Sequence, residues 1–196
     1  MSRELLFIRA DKEQIPNEHL SAFVKMSEQV GVNVTLKDIE SNEDFSTCLN
    51  GQNKYVCFAG HGNSSYFGDD KEISIEWSEI GKQLCQSGCF IHNAKILLYC
   101  CYGGIEEVSC TLLKECPNLD FIIGCATEIN SIDMLNALNI FIYNMERNHK
   151  IGDNKAAHRA LYATGISIRH YSRNEFDKET QEFICQKCKE YEESNN

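Results

Sequence analysis

Residues 94–104, AKILLYCCYGG, decide how the chain folds. Ile96, Leu97, Leu98 and Tyr99 form an uninterrupted apolar run, the pattern of a strand buried on both faces. Gly103 and Gly104 permit the tight exit such a strand needs when a helix follows. Cys100 and Cys101 therefore stand at a strand's carboxyl end, where ligands and chemistry gather in open α/β sheets.

Outward from this stretch, strand and helix alternate. Strands are expected at 4–9, 32–39, 55–59, 95–100, 121–126 and 166–170. Helices are expected from Asn17 to Val30, Asn42 to Leu49, Ser78 to Ser87, across Ile105, Val108 and Leu112, from Ile132 to Met145, from Lys155 to Thr164, and from Phe176 to Glu193. Residues 63–72 read as a polar loop and ISIEW at 73–77 as an edge strand or hairpin arm. The alternation predicts an α/β protein with a mostly parallel sheet and helices on both faces. At 196 residues one domain with its own core is expected over 1–196, its last residues, 190–196, fraying.

The formal charge of −10 argues against a nucleic-acid partner, which would need a basic face. No apolar run approaches a membrane span, and MSRELLFIRA turns polar too soon for a signal peptide, so a cytoplasmic protein without membrane contact is expected. In that compartment the eleven cysteines are thiols, with Cys57 and Cys125 as core residues. Cys185-x-x-Cys188 and the loose group Cys85, Cys89 and His92 lack a second converging half-site, so no metal is expected.

The strand from Tyr55 to Ala59 ends in Gly60-His61-Gly62-Asn63, a second apolar run that terminates in a reactive side chain between glycines. Two parallel strands side by side bring His61 and the cysteine pair to one edge. A thiol and an imidazole so placed are what nucleophilic catalysis needs: a nucleophile strong once ionised, and a base to ionise it and then protonate the leaving group. The side-chain-free approach at Gly62 lets its backbone N–H, with that of Cys101, hold a developing oxyanion. Plainer readings are a strand-capping histidine and a packed thiol. Tyr102 either lines the cleft or covers the helix start.

At these residues the chain resembles the caspase-like cysteine peptidases, which include caspases, metacaspases, separases and, closest here, CHAT domains. YVCFAGHGN (55–63) is similar to the family's histidine motif, and ILLYCCYGG (96–104) to its cysteine motif, in the metacaspase form where the second of two adjacent residues is the nucleophile. The run 121–163 is similar to the CHAT order of strand, polar turn, long helix, Gly-containing turn and Ala-rich helix. The resemblance spans about residues 52–164. It implies a caspase-like three-layer α/β/α sandwich with Cys101 as nucleophile and His61 as base.

The resemblance further implies a cofactor-free cysteine endopeptidase. It would cut a few partner proteins under a regulatory partner protein, as an effector in prokaryotic immunity or cell death. The residue two before the nucleophile, often Asp in metacaspases and Gln in caspases, is here Tyr99, so the family's pocket chemistry does not carry over. Arg9 and Asp11 lie where relatives place a pocket residue, and Glu128 and Asp133 are further candidates for contacting a basic side chain. With the acidic balance they favour cleavage after Arg or Lys. Two alternatives stand beside this reading. One is an inactive relative that binds a peptide or partner in the same cleft. The other is a phosphate-binding domain, for which neither glycine stretch has the P-loop or dinucleotide spacing.

Overall fold

A computed structural model of the protein describes residues 3–147 and 151–180. The expected Cys185-x-x-Cys188, the tail 190–196 and most of the expected last helix lie outside the described residues; 173–180 are helical. Nine strands are found among the described residues, six of them in one sheet.

The sheet is built from β1 (Glu4–Arg9), β2 (Asn33–Asp38), β3 (Asn53–Ala59), β7 (Phe90–Tyr99), β8 (Leu119–Cys125) and β9 (Ile168–Ser172), in the order β2-β1-β3-β7-β8-β9. All neighbours are parallel except β8 and β9. Strand β7, which carries the 96–99 apolar run, lies inside the sheet between β3 and β8, which is why that run has no polar face.

Alternate side chains supply two cores. Leu6, Ile8, Phe58, Ile96, Leu98 and Cys100 face α2 (Asn42–Cys48), α3 (Trp77–Ser87) and α4 (Glu106–Glu115). Leu5, Phe7, Cys57, Leu97, Tyr99 and Phe121 face α1 (Asn17–Gln29), α5 (Ser131–Arg147) and α6 (Asp153–Thr164). The result is a three-layer α/β/α sandwich with a mostly parallel central sheet, as the alternation of elements predicts. Full burial of each such Leu, Ile or Phe contributes on the order of 1.5–3 kcal/mol before entropy is counted.

Three segments differ from the sequence reading. Strand β7 begins at Phe90, ahead of the expected 95, because it continues through a bulge: Asn93 has φ of 66° and the register shifts between Ala94 and Lys95. The polar pair His92-Asn93 hides this extension. The stretch expected as a polar loop at 63–72 contains β5 (Tyr66–Gly68), the middle strand of a small antiparallel sheet completed by β4 (His61–Gly62) and by β6 (Ser74–Glu76), the latter within the expected edge strand at 73–77. Its turns are made by Asn63, whose Oδ1 accepts the Ser65 and Tyr66 amides, and by Asp69, whose Oδ1 accepts those of Lys71, Glu72 and Ile73. Phe67 anchors it to the core in a chain of rings running from Phe58 to Trp77. Finally, β9 occupies 168–172 rather than 166–170 and runs antiparallel at the sheet edge. Among the described residues no helix is long and apolar enough to cross a membrane.

Candidate active site

The sheet register brings three side chains to one edge. Arg9, Ala59 and Tyr99, the last residues of β1, β3 and β7, are direct partners across the sheet. The chain beyond each strand is clipped to its neighbour: the Ala10 amide donates to Ala59 O at 2.8 Å and the Gly60 amide to Tyr99 O at 3.2 Å. Asp11, His61 and Cys101 each stand two residues past this level line. Adjacent parallel strands lie about 4.8 Å apart, so three groups with that common offset emerge as neighbours.

Asp11 is held by its own loop. Its Oδ1 accepts the amides of Glu13 and Gln14 at 2.8 and 2.9 Å, leaving Oδ2 for His61 Nε2 at 3.0 Å. The other ring nitrogen, Nδ1, lies 3.3 Å from Oδ1 of the exposed Asp70. Asp11, expected as a substrate contact, has its Oδ2 on the imidazole, where it can fix the orientation of the ring.

Arg9, also expected in the pocket, is 3% exposed. Its Nε and Nη2 donate to the two carboxylate oxygens of Asp38 at 2.7 and 3.0 Å, and Nη1 donates to Ile15 O and Asn17 Oδ1. With these donors used inside the protein, what Arg9 contributes is the position of the 11–15 loop. The inward geometry follows from β1 lying inside the sheet, which leaves its last side chain covered.

Cys101 is partly exposed and Cys100 is buried. The Ile129 amide donates to the Cys101 sulfur at 3.4 Å. Burial, and then the neighbouring Cys101 and Cys125, push the Cys100 thiol well up, so it stays protonated at neutral pH. Tyr102 follows in the left-handed region at φ of 56°, its amide donating to Thr127 O. This turn swings the chain into Gly103 and Gly104, where the Gly104 amide reaches Cys125 O at 2.7 Å. Tyr102 is exposed, its hydroxyl 3.5 Å from Glu128 Oε1.

Gly62 packs directly on the cysteine turn. A Cβ there would lie 2.8 Å from both Cys100 Sγ and Cys101 O, so only glycine lets β4 approach this closely. No hydrogen bond joins His61 to Cys101 among the described residues; each is held by its own neighbours. Gly62→Ala is expected to push β4 and His61 off the Cys101 turn and to lower any Cys101-dependent turnover about 100-fold, measured as kcat/KM on a cleaved peptide. Turnover within about threefold of wild type would mean the close approach is dispensable.

Of the remaining candidates, Tyr99 is buried with its hydroxyl donating to Ser131 O at 2.6 Å. Glu128 and Asp133 are exposed, in the turn after β8 and the first turn of α5.

No family model and no curated protein matches the sequence. Among solved structures, the fold is that of the gingipain R cysteine proteinases, which places the chain in the caspase-like α/β fold class. One is the Arg-specific cysteine proteinase gingipain R, with a TM-score of 0.57 and 13% identity over 86% of this chain and 46% of that one. Another is the complex of the Porphyromonas gingivalis RgpB pro- and mature domains, with a TM-score of 0.52 and 12% identity over 83% of this chain and 42% of that one. The chain thus spans less than half the length of these neighbours.

Proposed function

We propose that this chain is a cysteine endopeptidase domain in which Cys101 and His61 form the catalytic dyad and Asp11 orients the histidine. The observation that carries the reading is the common register offset of Asp11, His61 and Cys101 at the carboxyl edge of β1, β3 and β7, with Gly62 packed on the cysteine turn. The likeness to cysteine proteinases supports the fold in which such an edge becomes an active site.

In the proposed reaction His61 takes the proton from the Cys101 thiol, and the thiolate attacks the carbonyl carbon of a peptide bond. The oxyanion is held by the Gly62 and Cys101 amides. As the C–N bond breaks, His61 returns the proton to the departing amine, leaving a thioester on Cys101. His61 then takes a proton from water, hydroxide attacks the thioester, the acid leaves, and the thiol is restored. Asp11 keeps Nε2 throughout. Nδ1 is the nitrogen released to the thiol, since its contact is with a carboxylate 74% exposed, a surface pair on the order of 0–1 kcal/mol.

The protein is further read as a CHAT-type cytoplasmic effector in prokaryotic immunity or cell death. It would need no cofactor, cut a few protein substrates and be controlled by a partner protein. This part rests on the sequence resemblance. A second reading, an inactive module that binds peptide in the same cleft, draws on the pairing of His61 with two carboxylates rather than with Cys101.

A peptidyl acyloxymethyl ketone separates the two readings. The peptidase predicts a thioether on Cys101, with loss of the carboxylate, formed about 100-fold more slowly in His61→Ala, and at least about tenfold more slowly in Asp11→Asn. No adduct, or one indifferent to His61, would favour the binding module.

A further inference from the structure

A narrow crevice opens at the Cys101 sulfur, walled by Gln14, Ile15, Gly60, Tyr99, Ile129 and Ser131. The side chain of the residue whose carbonyl is attacked starts one atom from that carbonyl, so the space beside the sulfur is the space it must enter. None of these walls is charged. The nearby acids are placed elsewhere: Asp11 on His61 and two loop amides, Glu128 and Asp133 exposed outside the crevice. Its enclosed part has room for about one water-sized group, the rest being open to solvent.

Tyr99 sets this size. Its ring is 2% exposed and packs edge-on against Phe7 at 6.2 Å. Its hydroxyl donates to Ser131 O at 2.6 Å, which ties the turn after β8 to the end of β7. The Ile129 amide, bound to the Cys101 sulfur, fixes the same turn from the other side. Burial pushes the phenol well up, so it remains a donor at neutral pH.

We propose that the enzyme selects a small uncharged residue, glycine, alanine or serine, on the acyl side of the cut bond, with Tyr99 as the specificity-determining residue. This rests on the peptidase reading above and replaces the basic preference that the acidic candidates suggested in the sequence. A lysine or arginine would have to bring its cation into a neutral crevice that offers it neither a carboxylate nor space. A leucine would have to displace the Tyr99–Ser131 tie.

The test is a set of fluorogenic peptides identical except for that residue, Gly, Ala, Ser, Leu, Phe, Asp, Lys or Arg, cleaved by wild type and by Tyr99→Phe, with Cys101→Ala as the blank. The phenylalanine variant keeps the ring and its packing and loses only the tie to Ser131. Expected is a kcat/KM for the best small residue about 10- to 100-fold above Leu, Lys and Arg, with the ratio of small residue to Leu falling several-fold in Tyr99→Phe. Cys101-dependent cleavage after Arg, Lys or Leu at a rate equal to Ala overturns the proposal. An unchanged ratio in Tyr99→Phe overturns the role of Tyr99. Absence of Cys101-dependent cleavage across the whole set overturns the peptidase reading itself, and this inference with it.

Discussion

Replacing Cys101 with alanine is expected to lower peptide cleavage at least about 10⁴-fold, because the covalent route disappears with the sulfur and only substrate binding and oxyanion stabilisation remain. The neighbouring substitution is the control. Cys100 is 2% exposed on the α3–α4 face, with its sulfur against Gly62 and Gly103. Cys100→Ala removes a packed sulfur and leaves a small cavity, so it is expected to cost about 1–2 kcal/mol of stability and to leave kcat/KM within about threefold. Cleavage kinetics on one peptide, with denaturant unfolding of both variants, check the pair. The reverse outcome, with Cys100→Ala inactive and Cys101→Ala active, would reassign the nucleophile.

Arg9→Ala is expected to lose about 3 kcal/mol of stability, a fall of roughly 6–12 °C in Tm for a chain of this size. Truncation strips the Ile15 carbonyl of a buried donor and leaves Asp38 without its bidentate partner. The figure is taken at the low end for a broken buried pair because the Asp38 side chain is 30% exposed. Partial burial raises the Asp38 pKa, but the hydrogen bonds and charge of Arg9, helped by Lys12, outweigh it and hold the carboxyl below its ordinary 3.8. A depressed folded-state pKa stabilises above the ordinary value and ceases to do so as pH falls through the folded one. The gap between wild type and Arg9→Ala is therefore full at neutral pH and narrows below about pH 3.8. A gap unchanged down to pH 2 would mean that Asp38 is not its source. Because Arg9 also pins Ile15 and the loop bearing Asp11, the variant should lose cleavage activity at temperatures where it remains folded.

Much of this was legible in the sequence because parallel strands buried on both faces announce themselves as apolar runs. Tyr55–Ala59 and Ile96–Tyr99 could be placed side by side, and with them His61 and Cys101. The preference within the cysteine pair comes from the resemblance to the metacaspase form of the motif; in the structure Cys100 packs into one core and Cys101 is partly exposed. The position of Asp11 just past the first strand is visible in the sequence, but its contact with His61 is not. Which oxygen faces which group depends on the Asx turn over Glu13 and Gln14. The signal that could have found it is the shared offset of two residues from Arg9, Ala59 and Tyr99, which needs the register and not only the strands. The burial of Arg9 was equally hidden, since an arginine at a strand end reads as exposed until β2 and Asp38 are known to flank it. Of the small sheet, β6 was legible in ISIEW, whereas β4 and β5, of two and three residues, are too short to show alternation.

In the proposed mechanism the Cys101 sulfur carries the acyl group of the substrate between two half-reactions. Rapid mixing with a cleaved ester or peptide substrate, acid quench and intact-protein mass spectrometry tests it most directly. Expected is a mass gain equal to the acyl group less one hydrogen, labile to hydroxylamine, mapped to Cys101 and absent from Cys101→Ala. Turnover with no adduct under conditions that favour its accumulation, or an acyl group mapped to another residue, would contradict it.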